Sequence, residues 1–163
     1  MSKKTIYLET SFISYLTNRL SRDLIVAAHQ QVTRLWWDEK RDNYDLVVSE
    51  VVIDEIKKGD TEASIMRQSK IEGLPILQLK PEVLSLAQLI LQRSFLTVKA
   101  LPDALHMAMG AVHGIDYIIT WNFKHMANAE IEYAIIGACE EQGYRSPIIC
   151  TPLEFMGGES ENE

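Results

Sequence analysis

Thr5-Ile6-Tyr7-Leu8-Glu9-Thr10-Ser11-Phe12-Ile13 is the stretch on which the fold turns. Thr5 to Glu9 is a short β-rich run of the kind that makes a buried parallel strand. It hands over at once to a helix that Thr10 or Ser11 can cap, with Phe12, Ile13, Leu16 and Leu20 at helical spacing. Glu9 therefore stands at the carboxyl end of a buried strand, where ligands gather in open parallel sheets.

Outward from this stretch the alternation repeats. A helix is expected over Ser21 to Asp42, with Leu24, Ala28, Val32, Leu35 and Trp36 as its inner face and Trp36-Trp37 as core. Tyr44 to Val48 reads as a second strand, and Ser49 caps a helix that stops near Gly59. Thr61 to Glu72 is a more polar helix, and Leu74 to Leu79 is extended, an edge strand or a linker because of Pro75. Pro81 opens a helix with Val83, Leu84, Ala87, Ile90 and Leu91 as its stripe. Pro102 to His113 is another, with Leu105, Ala108, Met109 and Val112 facing the core. Asp116 to Thr120 is a strand, Ala129 to Gln142 a helix, and Pro147 to Cys150 a last short strand. This order predicts an α/β protein with a mainly parallel sheet and helices on both faces. Residues 1–156 read as one domain, and Gly157 to Glu163 as an acidic, disordered tail.

Composition narrows the function. The 163 residues carry 47% hydrophobic and 24% charged side chains, enough for one core without disulfides. No apolar run is long enough to span a bilayer, and Met1-Ser2-Lys3-Lys4 enters a strand without a secretory signal, so the expected location is the cytoplasm. Cys139 and Cys150 lack CxxC spacing, and Cys139 reads as a buried free thiol. A net charge of −7 argues against a broad nucleic-acid footprint. A local basic groove could form only if folding gathers some of Arg19, Arg22, Lys57, Lys58, Arg67, Lys70, Lys99 and Lys124, each of which reads alone as solvated surface charge.

Four acids stand where charge should be costly: Glu9, Glu55, Asp103 and Asp116. Glu55 shares a helix face with Val52, Ile56 and Gly59 and has no cationic partner within a turn on that face, whereas Glu50 and Asp54 fall on a solvated face. Asp103 opens a helix just after Pro102, a place the helix dipole alone favours for an acid. Asp116 begins its strand at the opposite end and reads as a solvated turn acid, while Asn122 follows the other end of that strand and suits a neutral ligand or water-holder. Glu9, Glu55 and Asp103 are thus expected to meet around one divalent ion, and an oxygen-rich set suits Mg2+ or Mn2+. His106, His113 and His125 match no compact zinc motif, and His106, three residues after Asp103, reads as a satisfied, partly buried histidine.

Four segments in order, Ile6-Tyr7-Leu8-Glu9-Thr10-Ser11, Ser49-Glu50-Val51-Val52-Ile53-Asp54-Glu55-Ile56, Asp103-Ala104-Leu105-His106-Met107-Ala108 and Thr120-Trp121-Asn122-Phe123-Lys124-His125, resemble the PIN-domain ribonucleases of the VapC toxin type. The resemblance implies a three-layer α/β/α sandwich whose acidic site binds Mg2+ or Mn2+ and cuts RNA. It places the family's first aspartate on Glu9, the helix glutamate on Glu55, the third acid on Asp103 and the fourth acidic position on Asn122. Two departures stand out: Glu9 reaches one methylene further than aspartate, and Asn122 carries no charge.

On this reading Glu9, Glu55, Asp103 and Asn122 form the catalytic set, with the first three as metal ligands and Thr10, Ser11 and Lys124 as substrate contacts. The resemblance also implies a cognate antitoxin and a homodimer. The rival from another class is a PIN-fold module that binds protein or RNA without cutting, motivated by Glu9. A phospho-receiver would need an aspartate where Tyr44 to Val48 leads into Ser49, and a haloacid-dehalogenase-like phosphatase would need DxD where Glu9-Thr10-Ser11 stands.

Overall fold

The computed structural model describes residues 2–157, and residues 158–163 of the expected tail lie outside them. Five strands, β1 (Thr5–Leu8), β2 (Asp45–Ser49), β3 (Ile76–Leu77), β4 (Tyr117–Ile119) and β5 (Ile148–Cys150), pair in the order β3-β2-β1-β4-β5. Every pairing is parallel, with Tyr7 opposite Val47 on one side and Ile118 on the other. Seven α-helices connect them: α1 (Thr10–Thr17), α2 (Leu24–Glu39), α3 (Glu50–Ile56), α4 (Thr61–Lys70), α5 (Pro81–Arg93), α6 (Leu101–Val112) and α7 (Ala129–Glu141). The fold is the expected α/β/α arrangement on an all-parallel sheet.

The strand order explains the layers. The chain moves from β1 to β2 and β3 in one direction, then crosses to β4 and β5 on the other side of β1. Right-handed crossovers send the connecting helices of the two halves to opposite faces of the sheet. Accordingly α1 packs against α2 and α4, while α5 packs against α6 and α7. The reversal falls between β1 and β4, so the crevice beyond their carboxyl ends is the expected ligand position.

Several boundaries differ from expectation for local reasons. Glu9 itself is the N-cap of α1, its side chain accepting from Ser11 N at 2.8 Å, so Thr10 and Ser11 are helical residues rather than the cap. The same helix ends at Thr17, which leaves Leu20 outside it and 49% exposed. Asp23 starts α2 by accepting from Ile25 N and Val26 N, and the buried face is Gln30, Thr33, Trp36 and Trp37. Leu24, Ile25 and Leu35 point outward, Leu24 being 85% exposed. Periodicity among apolar residues alone misplaced that face, because the polar Thr33 and Gln30 are buried by specific bonds. Thr33 Oγ1 accepts from Trp121 Nε1 at 2.7 Å, and Gln30 bonds Ser21 N and the Arg19 carbonyl.

Ser49 caps α3 as its sequence position predicts, and β3 is an edge strand. Gly59, at φ 86°, adopts the left-handed conformation that lets the chain leave the α3 region. The stripe of α5 uses Leu86 in place of Leu84, which is 45% exposed. Arg67 is not surface charge: it is buried and caps α3 by donating to the carbonyls of Ile56 and Lys58.

Helix α6 sits deepest. Ala104 and His106 to Ala111 are all buried, a wider face than the predicted stripe, whose Leu105 and Val112 are only half-buried. Gly110 allows the approach to the sheet, since a Cβ there would lie 2.8 Å from Ile118 Cδ1. That contact brings the amino end of α6, with Asp103 and His106, over the carboxyl ends of β1 and β4.

Candidate active site

Strand β1 ends in Glu9, which is only 5% exposed and whose backbone N–H still bonds Ile119 O on β4. Its Oε2 collects donors from Ser11 N, Ser11 Oγ and Thr120 Oγ1, the last at 3.0 Å. Ser11 Oγ in turn accepts from Trp121 N at 2.9 Å, which ties the turn after β4 to the first turn of α1. Oε1 faces the imidazole of His106, with Nε2 3.9 Å away.

Glu55 arrives from α3 and leans into the same crevice. Its Oε1 accepts from Thr10 Oγ1 at 2.8 Å and from His106 Nε2 in a short contact. His106 is fully buried and held on both ring nitrogens, because Nδ1 lies 2.6 Å from Tyr7 Oη. Tyr7 Oη also bonds Ser49 Oγ at 2.6 Å. With the imidazole protonated, Nδ1–H donates to Tyr7, Tyr7 donates to Ser49, and Nε2–H donates to Glu55. One buried chain thus runs from the cap of α3 through β1 and α6 to a carboxylate.

Asp103 belongs to a second, adjoining group. Asn122 Nδ2 donates to its Oδ1 at 3.0 Å, and His125 Nδ1 bonds its Oδ2 at 2.7 Å. Asn122 Oδ1 also accepts from His125 N at 2.9 Å, so the turn after β4 presents an amide and an imidazole together to one acid. An aspartate at 122 would set two carboxylates against each other, and the amide removes that repulsion.

The electrostatics follow from these contacts. Burial pushes the Glu55 carboxyl up, but the bond and charge of His106, the Thr10 hydroxyl and the charge of Lys58 outweigh it and hold Glu55 below the usual carboxylate range. Burial pushes the His106 imidazole down, yet the hydrogen bond it gives to Glu55 and the charges of Glu9, Glu55 and Asp103 raise it above its ordinary value. Burial takes the Tyr7 phenol far up, against a lowering bond from Ser49, with Glu9 and Glu55 adding to the rise, so it acts only as a neutral hydroxyl.

All four sequence-derived site residues lie at this end of the sheet, in the two linked groups described, and they come from four different segments. Thr10 and Ser11 are there too, their hydroxyls turned onto Glu55 and Glu9, whereas Lys124 is exposed just past Asn122. Asp116 lies at the opposite end and is not a free turn acid: it accepts from Thr5 N at 2.9 Å and pairs with Arg145 at 2.9 Å. The sequence reading of His106 as a satisfied histidine holds, though the ring is fully rather than partly buried, while His125, Tyr7 and Thr120 were missed as constituents. The available signal for His125 was its three-residue spacing from Asn122.

Three carboxylates at the end of a parallel sheet suit a hard divalent cation in kind. In arrangement they do not present it a finished site, because Glu9 Oε2, Glu55 Oε1 and both oxygens of Asp103 are engaged by Ser11, Thr120, Thr10, His106, Asn122 and His125. Among the described residues no three His, Cys, Asp or Glu side chains are disposed to hold a metal. Among the same residues, no helix is long and apolar enough to cross a membrane.

No protein-family model matches the sequence, and no curated protein matches it. Solved structures do. The Mycobacterium tuberculosis toxin VapC20, described as cleaving the sarcin–ricin loop, superposes with a TM-score of 0.57 at 16% identity, over 74% of this chain and 92% of that one. A chain of Rickettsia felis VapBC2, bound to promoter DNA, gives 0.57 at 14% identity over 90% and 98%. A chain of VapBC-1 from nontypeable Haemophilus influenzae gives 0.52 at 16% identity over 74% and 89%. At such identities the likeness is one of fold: the chain shares the α/β/α fold of these VapC and VapBC structures.

Proposed function

We propose that this protein is a toxin-type endoribonuclease that hydrolyses RNA phosphodiester bonds with Mg2+ or Mn2+. The observation that carries the reading is the convergence of Glu9, Glu55 and Asp103, from three separate elements, on the switch-point crevice of a PIN fold. Once their internal bonds are released, these three would hold the ion. When bound, it would supply an activated water and stabilise charge on the scissile phosphate.

The chain's own groups do the rest. Asn122 and His125 orient Asp103, and Thr120 and Ser11 orient Glu9. The hydroxyls of Thr10 and Ser11 would turn from the acids to substrate or water, and the exposed Lys124 would meet a phosphate. A cognate antitoxin and a second copy of the chain are the partners this reading requires, and the outward apolar side chains Leu24, Ile25, Leu35, Ile65 and Met66 on α2 and α4 offer them surface. The cytoplasm is the compartment where such a toxin would act.

The second reading, a PIN-fold module that binds without cutting, is favoured by one observation, the engagement of all three acids by internal donors. RNA decay in Mn2+ separates the two. Wild type should cleave and Asp103→Asn should lose at least about a hundredfold, the scale on which removing a charge-stabilising group acts. Equal decay in the two proteins would assign the activity to a contaminant. A large gain in Glu9→Asp would support the binding module, by showing that the native side chain is detuned.

A further inference from the structure

Histidine 106 is the one imidazole of the site with no freedom. Its ring is fully buried, set edge-on to Tyr7 with centroids 5.7 Å apart, and fixed at Nδ1 by Tyr7 Oη and at Nε2 by Glu55. Nε2 also stands 3.9 Å from Glu9 Oε1, so the ring edge lies between the two carboxylates. A divalent ion shared by Glu9 and Glu55 would need to sit about 2.1 Å from an oxygen of each if it were magnesium. The ring edge and such an ion compete for the space between the two carboxylates and for Glu55 Oε1.

We propose that the His106 ring is a built-in occupant of the space between Glu9 and Glu55, so that a divalent ion enters this centre only by displacing it. The inference rests on the reading of these acids as the functional centre and adds a latch to it. Its geometry accounts for the absence of a finished metal site among the described residues, although three carboxylates are gathered there. Tyr7 and Ser49 are the back of the latch: by holding Nδ1 they keep Nε2 aimed at Glu55. The same position is chemically sensible for a buried Glu9 beside a half-buried Glu55 in an ion-free state, since a hydrogen-bonded partner offsets part of the cost of desolvation.

The test is Mn2+ binding to the full chain, read by electron paramagnetic resonance of the free ion and independently of RNA decay. His106→Leu should bind Mn2+ at least tenfold more tightly than wild type, and Tyr7→Phe, which loosens the ring without removing it, should gain a smaller factor. Adding Glu55→Gln to His106→Leu should abolish the gain. Equal or weaker binding in His106→Leu would overturn the proposal, since the histidine would then be a bystander or a ligand, and so would a gain that survives Glu55→Gln. If circular dichroism shows that His106→Leu does not fold, Tyr7→Phe and the ring signals of His106 decide. Mg2+ added to wild type should shift those signals away from their ion-free positions, and unmoved signals at saturating Mg2+ would overturn the latch. A protein that gains Mn2+ affinity yet cuts no RNA would keep the latch and defeat the nuclease reading.

Discussion

Acids are anchored at both ends of the same two central strands, by opposite means. At the amino end, Asp116 takes Thr5 N, Thr5 Oγ1 and the Arg145 guanidinium, and these bonds, led by the Thr5 backbone, hold its carboxyl below the usual range against slight burial. At the carboxyl end, Glu9, Glu55 and Asp103 are held by hydroxyls, an amide and two histidines. A guanidinium is a permanent charge and closes the account of Asp116. Hydroxyls and imidazoles can turn, exchange protons or give way, so the acids they hold remain available for chemistry. On the proposed function, the difference separates a structural end from a working one, although both contain buried or half-buried carboxylates.

The contrast is most exposed by RNA decay. Asp103→Asn should remove it, and Asp116→Asn should leave it unchanged; loss of cleavage in both variants at matched folding would erase the distinction between the ends. The next effect is on stability. His106→Leu leaves Glu55 and the buried Glu9 without their imidazole and should cost about 3 kcal/mol, as breaking a buried pair does. In Tm this is roughly 6–12 °C for a chain of this size, and added Mn2+ should recover more of it than in wild type. An unchanged Tm would show that the imidazole contributes no charge to the site.

The pH profile sharpens the comparison further. A raised His106 value means stability that is fully present below the ordinary histidine value and is lost as pH rises through the raised one. A lowered Glu55 value means stability present above the ordinary carboxyl value and lost as pH falls through the lowered one. Denaturation curves should therefore show the site end weakening on both the acid and the alkaline side. Asp116, lowered only, adds loss on the acid side alone. A His106→Leu protein that keeps the alkaline loss would assign it elsewhere. The smallest effect is expected of Arg145→Ala, at most about 1 kcal/mol, since Arg145 is 69% exposed and its pair is screened by water.

The sequence by itself determined the order of elements, the parallel class of the sheet and the placing of Glu9 past its strand, Glu55 on the inner edge of its helix and Asp103 in the first turn of another. These depend on short-range patterns: the run Ile6 to Leu8, the Ser49 cap, Pro75 at an edge, Pro102 in a first turn. Tertiary structure alone decided what each acid touches. Glu55 and His106 are 51 residues apart, Thr120 and Glu9 are 111 apart, and Asp116 meets Arg145 across 29. Such pairs leave no periodic trace, because a hydrogen bond between distant segments depends on how whole helices seat on the sheet. For α6 that seating depends on one glycine, Gly110, against Ile118. The buried face of α2 escaped for the same reason: Thr33 and Gln30 are inside because Trp121, Ser21 and Arg19 meet them there, and no rule of local hydropathy foresees a polar side chain satisfied from afar.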